Sequence, residues 1–178
     1  MTPTKKQPLF IVSGASGVGK STLCEVLFQR ETDYIVLESD LLWHEVYNTP
    51  EDDYRAYRQM CLSLCANISQ VGKPVVLCGC VTPKQFETLP ERALFTNIHY
   101  LAIVCENRVL EDKMRNGRGI SDEKWIDSSI HFNDWLKING EASGMTLLDN
   151  SALTPQEGAE TVDDWIKTLK GMCPCPEN

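Results

Sequence analysis

One stretch constrains this chain more than any other. The apolar run Leu9-Phe10-Ile11-Val12 leads through Ser13 into Gly14-Ala15-Ser16-Gly17-Val18-Gly19-Lys20-Ser21. From Lys20 onward, Leu23, Val26 and Leu27 recur on one helical face. A GxxxxGK[ST] spacing between a buried strand and an amphipathic helix is that of a phosphate-binding loop. Glycines let the backbone curl until successive N–H groups point inward, and the helix that follows adds the positive end of its dipole. Lys20 is placed to reach the β- and γ-phosphates, Ser21 to ligate magnesium and Thr22 to help hold phosphate. Residues 14–22 are therefore the candidate site for a nucleoside triphosphate with Mg2+. A glycine-rich turn without a ligand explains the loop but not the strand and helix that flank it.

Strand and helix signals alternate through the rest of the chain. Tyr34 to Leu37 reads as a strand ended by Glu38-Ser39-Asp40. Tyr54, Tyr57, Cys61, Leu64, Ile68 and Val71 predict a helix over 52–71, stopped by Gly72. Pro74 to Cys78 and His99 to Cys105 read as strands. Asn107 to Arg115 and Asp122 to Asn139 read as helices around Gly117-Arg118-Gly119, and Met145 to Leu148 reads as a short strand. The last helix has Thr154 as cap, Pro155 in the first turn, Glu157 at the capping-box position and Gly171 at the end. This alternation predicts an α/β fold, a parallel sheet with helices on both faces. The 178 residues suit one domain at roughly 150 residues per domain. Residues 1–178 are thus expected to form a single unit with its core at 9–170 and short flexible ends.

The net charge of −8 argues against general binding to nucleic acid or anionic membrane, which calls for the opposite sign. No stretch approaches the roughly 20 apolar residues of a membrane span, and the N-terminal segment lacks the features of a signal peptide. The chain is expected to be cytoplasmic. The eight cysteines carry no paired CxxC or HxxxH spacing, so they read as small core residues rather than metal ligands. Cys173-Pro174-Cys175 reads as a frayed terminus.

Several phosphate-loop chemistries can be set aside. A GTPase switch should carry DxxG after its third strand and NKxD later, and neither occurs where it is needed. A larger ATPase module should end its third strand in an acid pair, whereas this one ends Leu77-Cys78-Gly79-Cys80-Val81-Thr82-Pro83. Three features remain: the phosphate loop, the acidic cluster Glu38-Ser39-Asp40-Leu41-Leu42-Trp43, and the segment Arg115-Asn116-Gly117-Arg118. With Gly79 to Glu87, Leu101 to Cys105 and His131 to Leu136, they make roughly residues 9–170 resemble the nucleoside/nucleotide kinase group. That group includes shikimate kinase, gluconate kinase, chloramphenicol phosphotransferase and small bacterial nucleoside kinase-like proteins.

The resemblance implies a three-layer α/β/α P-loop fold with a five-stranded parallel sheet and a short helical lid. It implies ATP as the nucleotide. It makes Asp40 the group that binds an acceptor hydroxyl and takes its proton; capping a helix at 41–45 is the plainer reading of that residue. Glu38 is the candidate for a magnesium contact through water. Arg115 and Arg118 are candidate lid arginines, with Lys20, that neutralise charge on the moving phosphoryl group, and Arg115 also counts among the nucleotide contacts. The loop Asp149-Asn150-Ser151-Ala152 is expected either against the base or as a plain turn. Trp43 and Tyr47, near Asp40, are candidates to wall an acceptor pocket, whereas Trp125, Phe132 and Trp135 read as core. His44 and His131 have no ligand partner at useful spacing, Lys84, Glu87 and Glu91 read as a solvated face, and Arg108 as a surface or packing residue.

The expected function is transfer of the ATP γ-phosphoryl group to a hydroxyl of a small molecule, a nucleoside or similar metabolite. The alternatives are an antibiotic-inactivating phosphotransferase and a nucleotide-binding regulatory module with weak hydrolysis. The expected partner is a small-molecule acceptor, with neither nucleic acid nor membrane. No sustained heptad marks an oligomeric state.

Overall fold

The computed structural model describes residues 6–30 and 32–172. Its sheet is built from β1 (Leu9–Gly14), β2 (Ile35–Glu38), β3 (Val75–Gly79), β4 (Ile98–Val104) and β5 (Met145–Asp149). All pairings are parallel and the order is β2-β3-β1-β4-β5. Parallel neighbours require crossovers, and the helices supply them. They are α1 (Lys20–Phe28), α2 (Arg55–Ile68), α3 (Pro83–Glu87), α4 (Asn107–Asp112), α5 (Glu123–Asn139) and α6 (Pro155–Met172). The fold is the expected three-layer α/β/α arrangement.

β1 explains why the sheet is covered on both faces. All six of its residues are buried, and they alternate between two cores. Phe10 and Val12 face Val76, Leu101 and Ile103 under α1 and α6, where Leu23, Leu27, Val162 and Ile166 close the layer. Leu9 and Ile11 face Val75, Leu77 and Ala102 on the opposite side, closed by Leu62 and Cys65 of α2, Phe86 of α3 and Leu136 of α5. β1 lies between β3 and β4, so the loop at its carboxyl end opens into a crevice flanked by the ends of several strands. Ligands bind at that position in open parallel sheets.

The structure departs from the sequence reading in four places. The helix expected over 52–71 begins only at Arg55, after a 3₁₀ turn at Pro50–Asp52. The break is local: Asp53 and Tyr54 sit at φ 59° and 56°, in the left-handed region that ends any right-handed helix. Its end is a 3₁₀ turn, Ser69–Val71, closed by Gly72. No helix forms at 41–45; the chain makes 3₁₀ turns at Ser39–Leu42 and Glu45–Tyr47, so Asp40 caps nothing there. The helix from Asn107 stops being α-helical at Asp112 and widens into a π turn over Lys113–Gly117. Trp125 and Trp135 are exposed rather than core, because α5 buries only the stripe Ile126, Ser129, Asn133 and Leu136.

Other local expectations hold. Thr154 and Glu157 form the reciprocal capping pair, and α6 runs through Gly171 to Met172. Among the described residues Cys24, Cys61, Cys65, Cys78 and Cys105 are buried free thiols as expected, whereas Cys80 is exposed rather than core because β3 ends at Gly79. Cys173 and Cys175 lie outside the described residues. Glu87 is more than a solvated side chain: it pairs with Arg92 at 2.7 Å and accepts from the Tyr100 hydroxyl. Among the described residues no helix is long and apolar enough to cross a membrane.

Candidate active site

A cavity of about 520 Å³ opens at the carboxyl end of β1. The phosphate loop supplies one wall through Ser16, Gly17, Gly19, Lys20, Ser21 and Thr22. Asp40 lines the same cavity from the segment after β2, and Arg118 from the turn between the π segment and α5. Lys113, Gly117, Asn150, Leu153 and Pro155 complete it. Residues far apart in sequence thus converge because strand order brings the ends of β1, β2 and β5 to one rim.

The loop's backbone is what its glycines allow. Gly17 and Gly19 adopt φ of 84° and 111°, and Gly19 is the N-cap of α1. A side chain at either would also collide: a Cβ at Gly17 would lie 2.5 Å from Met114 Cγ, and one at Gly19 2.8 Å from Asn150 Nδ2. Gly14, Ala15 and Val18 form the inner layer. Lys20 Nζ donates to the carbonyls of Gly14 and Ala15 at 2.9 Å each, and Val18 offers its carbonyl to Asn150 Nδ2 at 3.0 Å. Lys20 Nζ also lies 3.4 Å from Cys80 Sγ, which in turn donates to the Gly14 carbonyl. Lys20 is only 7% exposed, and its ammonium is held at the loop by those two carbonyls.

The carboxylate absent after β3 has a counterpart on β2. Ser21 donates a hydrogen bond to Glu38, the last residue of β2, which stands in register with Cys78 of β3. This pairs the two side chains expected to serve magnesium. Among the described residues no group of three His, Cys, Asp or Glu forms a cage. Magnesium generally takes one or two protein oxygens and fills its remaining positions from phosphates and water, so a hydroxyl beside a carboxylate is a fitting donor set.

The two lid arginines diverge. Arg118 donates to the Ser16 hydroxyl at 3.0 Å and packs over the Trp125 ring at 5.5 Å, which aims its guanidinium at the loop. Arg115 instead sits between Glu111 at 2.8 Å and Glu123 at 2.7 Å, outside the cavity lining. Those hydrogen bonds, Glu123 first, raise its pKa and hold the Glu123 carboxyl below its usual range. The π turn separates the fates of neighbouring residues, turning Met114 fully inward beneath Gly17 and Lys113 toward the cavity.

Lys113 escaped the sequence reading. Its Nζ reaches the Asn150 carbonyl at 3.4 Å. Its signal was a third cation within five residues of Arg115 and Arg118. In the loop after β5, Asp149 and Ser151 bond to each other, and Ser151 lowers the Asp149 pKa through its hydroxyl and then its N–H. Asn150 is the residue that turns inward, 6% exposed and against the phosphate loop.

Near Asp40 in sequence, but outside the cavity lining, stands an aromatic group that includes Trp43 and Tyr47, the residues expected to wall an acceptor pocket. Trp43 packs edge-on against Tyr54 and Tyr57 at 5.7 and 5.2 Å, and Tyr47 lies 5.7 Å from Tyr57. The Tyr57 hydroxyl donates to the Ser39 carbonyl at 2.5 Å, which ties the group to the residue beside Asp40. Burial raises the Tyr57 pKa, with the Asp40 charge a smaller contribution in the same direction.

No protein-family model matches the chain, and no curated protein matches it. Solved structures do. A sugar kinase from Janibacter sp. HTCC2649 superposes with a TM-score of 0.65 at 16% identity, over 92% of this chain and 95% of its own. The tunicamycin resistance protein of Deinococcus radiodurans gives 0.66 at 17%, over 91% and 96%. A gluconokinase from Sinorhizobium meliloti 1021 gives 0.56 at 15%, over 93% and 99%. The chain shares the fold of these structures, a sugar kinase and a gluconokinase among them, over nearly its full described length.

Proposed function

We propose that this protein is an ATP- and magnesium-dependent phosphotransferase that moves the γ-phosphoryl group of ATP to a hydroxyl of a small molecule. The observation that carries this reading is the presence of Lys20, Ser21, Arg118 and Asp40 in the lining of one cavity. Asp40 comes to that lining from a segment separate from the phosphate loop, which supplies the carboxylate that an acceptor hydroxyl requires. The fold likeness to a sugar kinase and a gluconokinase supports the same reaction class.

The steps follow from the side chains. Phosphate oxygens replace the Gly14 and Ala15 carbonyls as partners of Lys20, and the inward N–H groups of residues 15–20 add to the cradle. Magnesium at Ser21 and Glu38 would neutralise charge on the phosphates. Arg118, with Lys113 behind it, covers the loop and draws charge from the transferred group. The acceptor oxygen forms its bond to the γ-phosphorus as the bond to the β,γ-bridging oxygen breaks, and ADP leaves. The acceptor's hydroxyl proton passes to the Asp40 carboxylate and then to water. An antibiotic as acceptor is a second reading, favoured by the aromatic group beside Asp40 and the likeness to the tunicamycin resistance protein.

The test is release of ADP from Mg-ATP by the purified protein across a panel of hydroxylated small molecules. Asp40→Asn is expected to lower acceptor-dependent turnover by about 10²–10⁴-fold while ATP binding stays within a few-fold. Loss of ATP binding together with turnover would place Asp40 in nucleotide binding instead. A protein that binds ATP, and releases ADP no faster with any acceptor, would be a nucleotide-dependent module and not a kinase.

A further inference from the structure

The segment from Glu38 to Tyr57 joins β2 to α2 and brings Asp40 to the lining of the cavity. Its charge is one-sided. It carries six carboxylates, at Glu38, Asp40, Glu45, Glu51, Asp52 and Asp53, against the single cation Arg55. Beside Asp40 it also carries exposed apolar side chains, Leu41, Val46 and Trp43; Trp43 is 40% exposed even after packing on Tyr54 and Tyr57.

The arrangement is held by backbone that a tyrosine does not readily adopt. Tyr54 in the left-handed region is an outlier of the kind that persists only where its surroundings hold it, and such outliers cluster at ligand sites. Here the surroundings are visible. The Tyr54 N–H bonds to the Thr49 carbonyl at 3.0 Å, and Asp53 is gripped by Arg58 and by Gln85. The result presents the Tyr54 ring to Trp43.

The same grip removes the guanidinium that an anionic acceptor would need. Arg58 is 8% exposed, lies 2.5 Å from Asp53 Oδ2 and packs over Tyr54 at 5.9 Å. Arg55 and Lys84 line a second cleft of about 340 Å³, where Asp52 and Asp53 share the walls. The cations of the main cavity, Lys20, Lys113 and Arg118, lie at the phosphate loop and lid, where the nucleotide's own phosphates require them.

We infer that the acceptor is an uncharged or cationic alcohol bearing a flat apolar group, of the kind a nucleoside or a hydroxylated aromatic offers, and not a sugar acid or a phosphorylated compound. This rests on the phosphotransferase reading above and narrows it. The flat group stacks on Trp43, the hydroxyl meets Asp40, and the acidic rim repels a second anion.

The experiment pairs each probe with a charged relative. Adenosine, cytidine, guanosine and uridine are compared with their 5′-monophosphates, glucose with gluconate, and chloramphenicol is included as a hydroxylated aromatic. ADP release with Mg-ATP gives transfer. Equilibrium dialysis without nucleotide gives acceptor binding, and calorimetry with a non-hydrolysable ATP analogue gives nucleotide binding. At least one uncharged flat probe is expected to bind and to raise ADP release about tenfold or more, with its anionic counterpart about tenfold weaker. Trp43→Ala should weaken that probe about tenfold and spare the ATP analogue. Glu45→Lys with Glu51→Lys, both exposed on this acidic segment, should shift the preference toward the monophosphate by roughly threefold or more. Preference for a monophosphate or gluconate in the parent protein overturns the inference, as does the absence of binding by every uncharged flat probe. Either result leaves the phosphotransferase reading in place if an anion turns over. Failure of the ATP analogue to bind overturns that reading alone, because the dialysis arm does not depend on nucleotide.

Discussion

Gly17→Ala tests the contact that joins the phosphate loop to the lid. Two penalties add at this position. The alanine must hold φ near 84°, which costs an L-residue about 1–2 kcal/mol. Its Cβ would also stand 2.5 Å from Cγ of Met114, a side chain with no exposed surface into which to retreat. Overpacking of that kind costs about 1–3 kcal/mol. A total near 3 kcal/mol is expected, which for a chain of this size is a fall in Tm of about 6–12 °C. Because Met114 lies in the π turn between Lys113 and Arg118, the push should also displace the lid and raise the Kd for ATP about tenfold or more. Urea melts and nucleotide titrations of Gly17→Ala, Met114→Ala and the double variant form the assay. Truncating Met114 leaves the dihedral penalty but removes the collision, so the cycle should return a favourable coupling of about 1–2 kcal/mol. Additive losses within about 0.5 kcal/mol would refute the steric argument.

Arg118→Ala is expected to lower kcat/KM for ATP about tenfold or more, and Arg115→Ala less than threefold, because only Arg118 faces the loop; steady-state kinetics decide it, and equal losses would mean that Arg115 leaves its glutamates during turnover. Asn133 is fully buried and bonds to both the N–H and the carbonyl of Cys105 at 3.2 and 2.8 Å. Asn133→Ala should cost about 2–4 kcal/mol in denaturant melts by orphaning both groups. His99 stacks on Phe10 at 5.1 Å, and burial, with the Arg92 charge, holds its pKa below the usual 6.5. The unfolded chain then binds the extra proton first, so stability should be complete above pH 6.5 and fall as pH drops through the folded value. Melts between pH 5 and 7 should show that slope in the parent and a shallower one in His99→Phe.

The parts of this molecule that follow from local periodicity were readable in its sequence. β1, the glycine loop and α1 follow from spacing alone, and Thr154 with Glu157 marks the start of α6. Several of the failures depend on side-chain contacts that hydrophobic periodicity does not encode. Nothing local in Asp53-Tyr54 requires the left-handed region; Arg58 and Gln85 hold it there. The resemblance grouped Arg115 with Arg118, yet Glu111, one turn earlier, already offered Arg115 an (i, i+4) partner. The pairing of Ser21 with Glu38 depends on β2 lying next to β3, which strand alternation does not disclose.

The two faces of the sheet divide the site's supports between them. The loop, Met114, α1 and α6 are buried in one core, while Leu42, Tyr57 and α2, on the side proposed for the acceptor, pack into the other. Close-packed interiors transmit a change of volume to their neighbours, but here the backbone of the sheet stands between the two. On the proposed function, the acceptor half can be repacked without disturbing the half that holds the nucleotide. A lineage built on this plan can then drift from one alcohol to another while its phosphate donor stays the same.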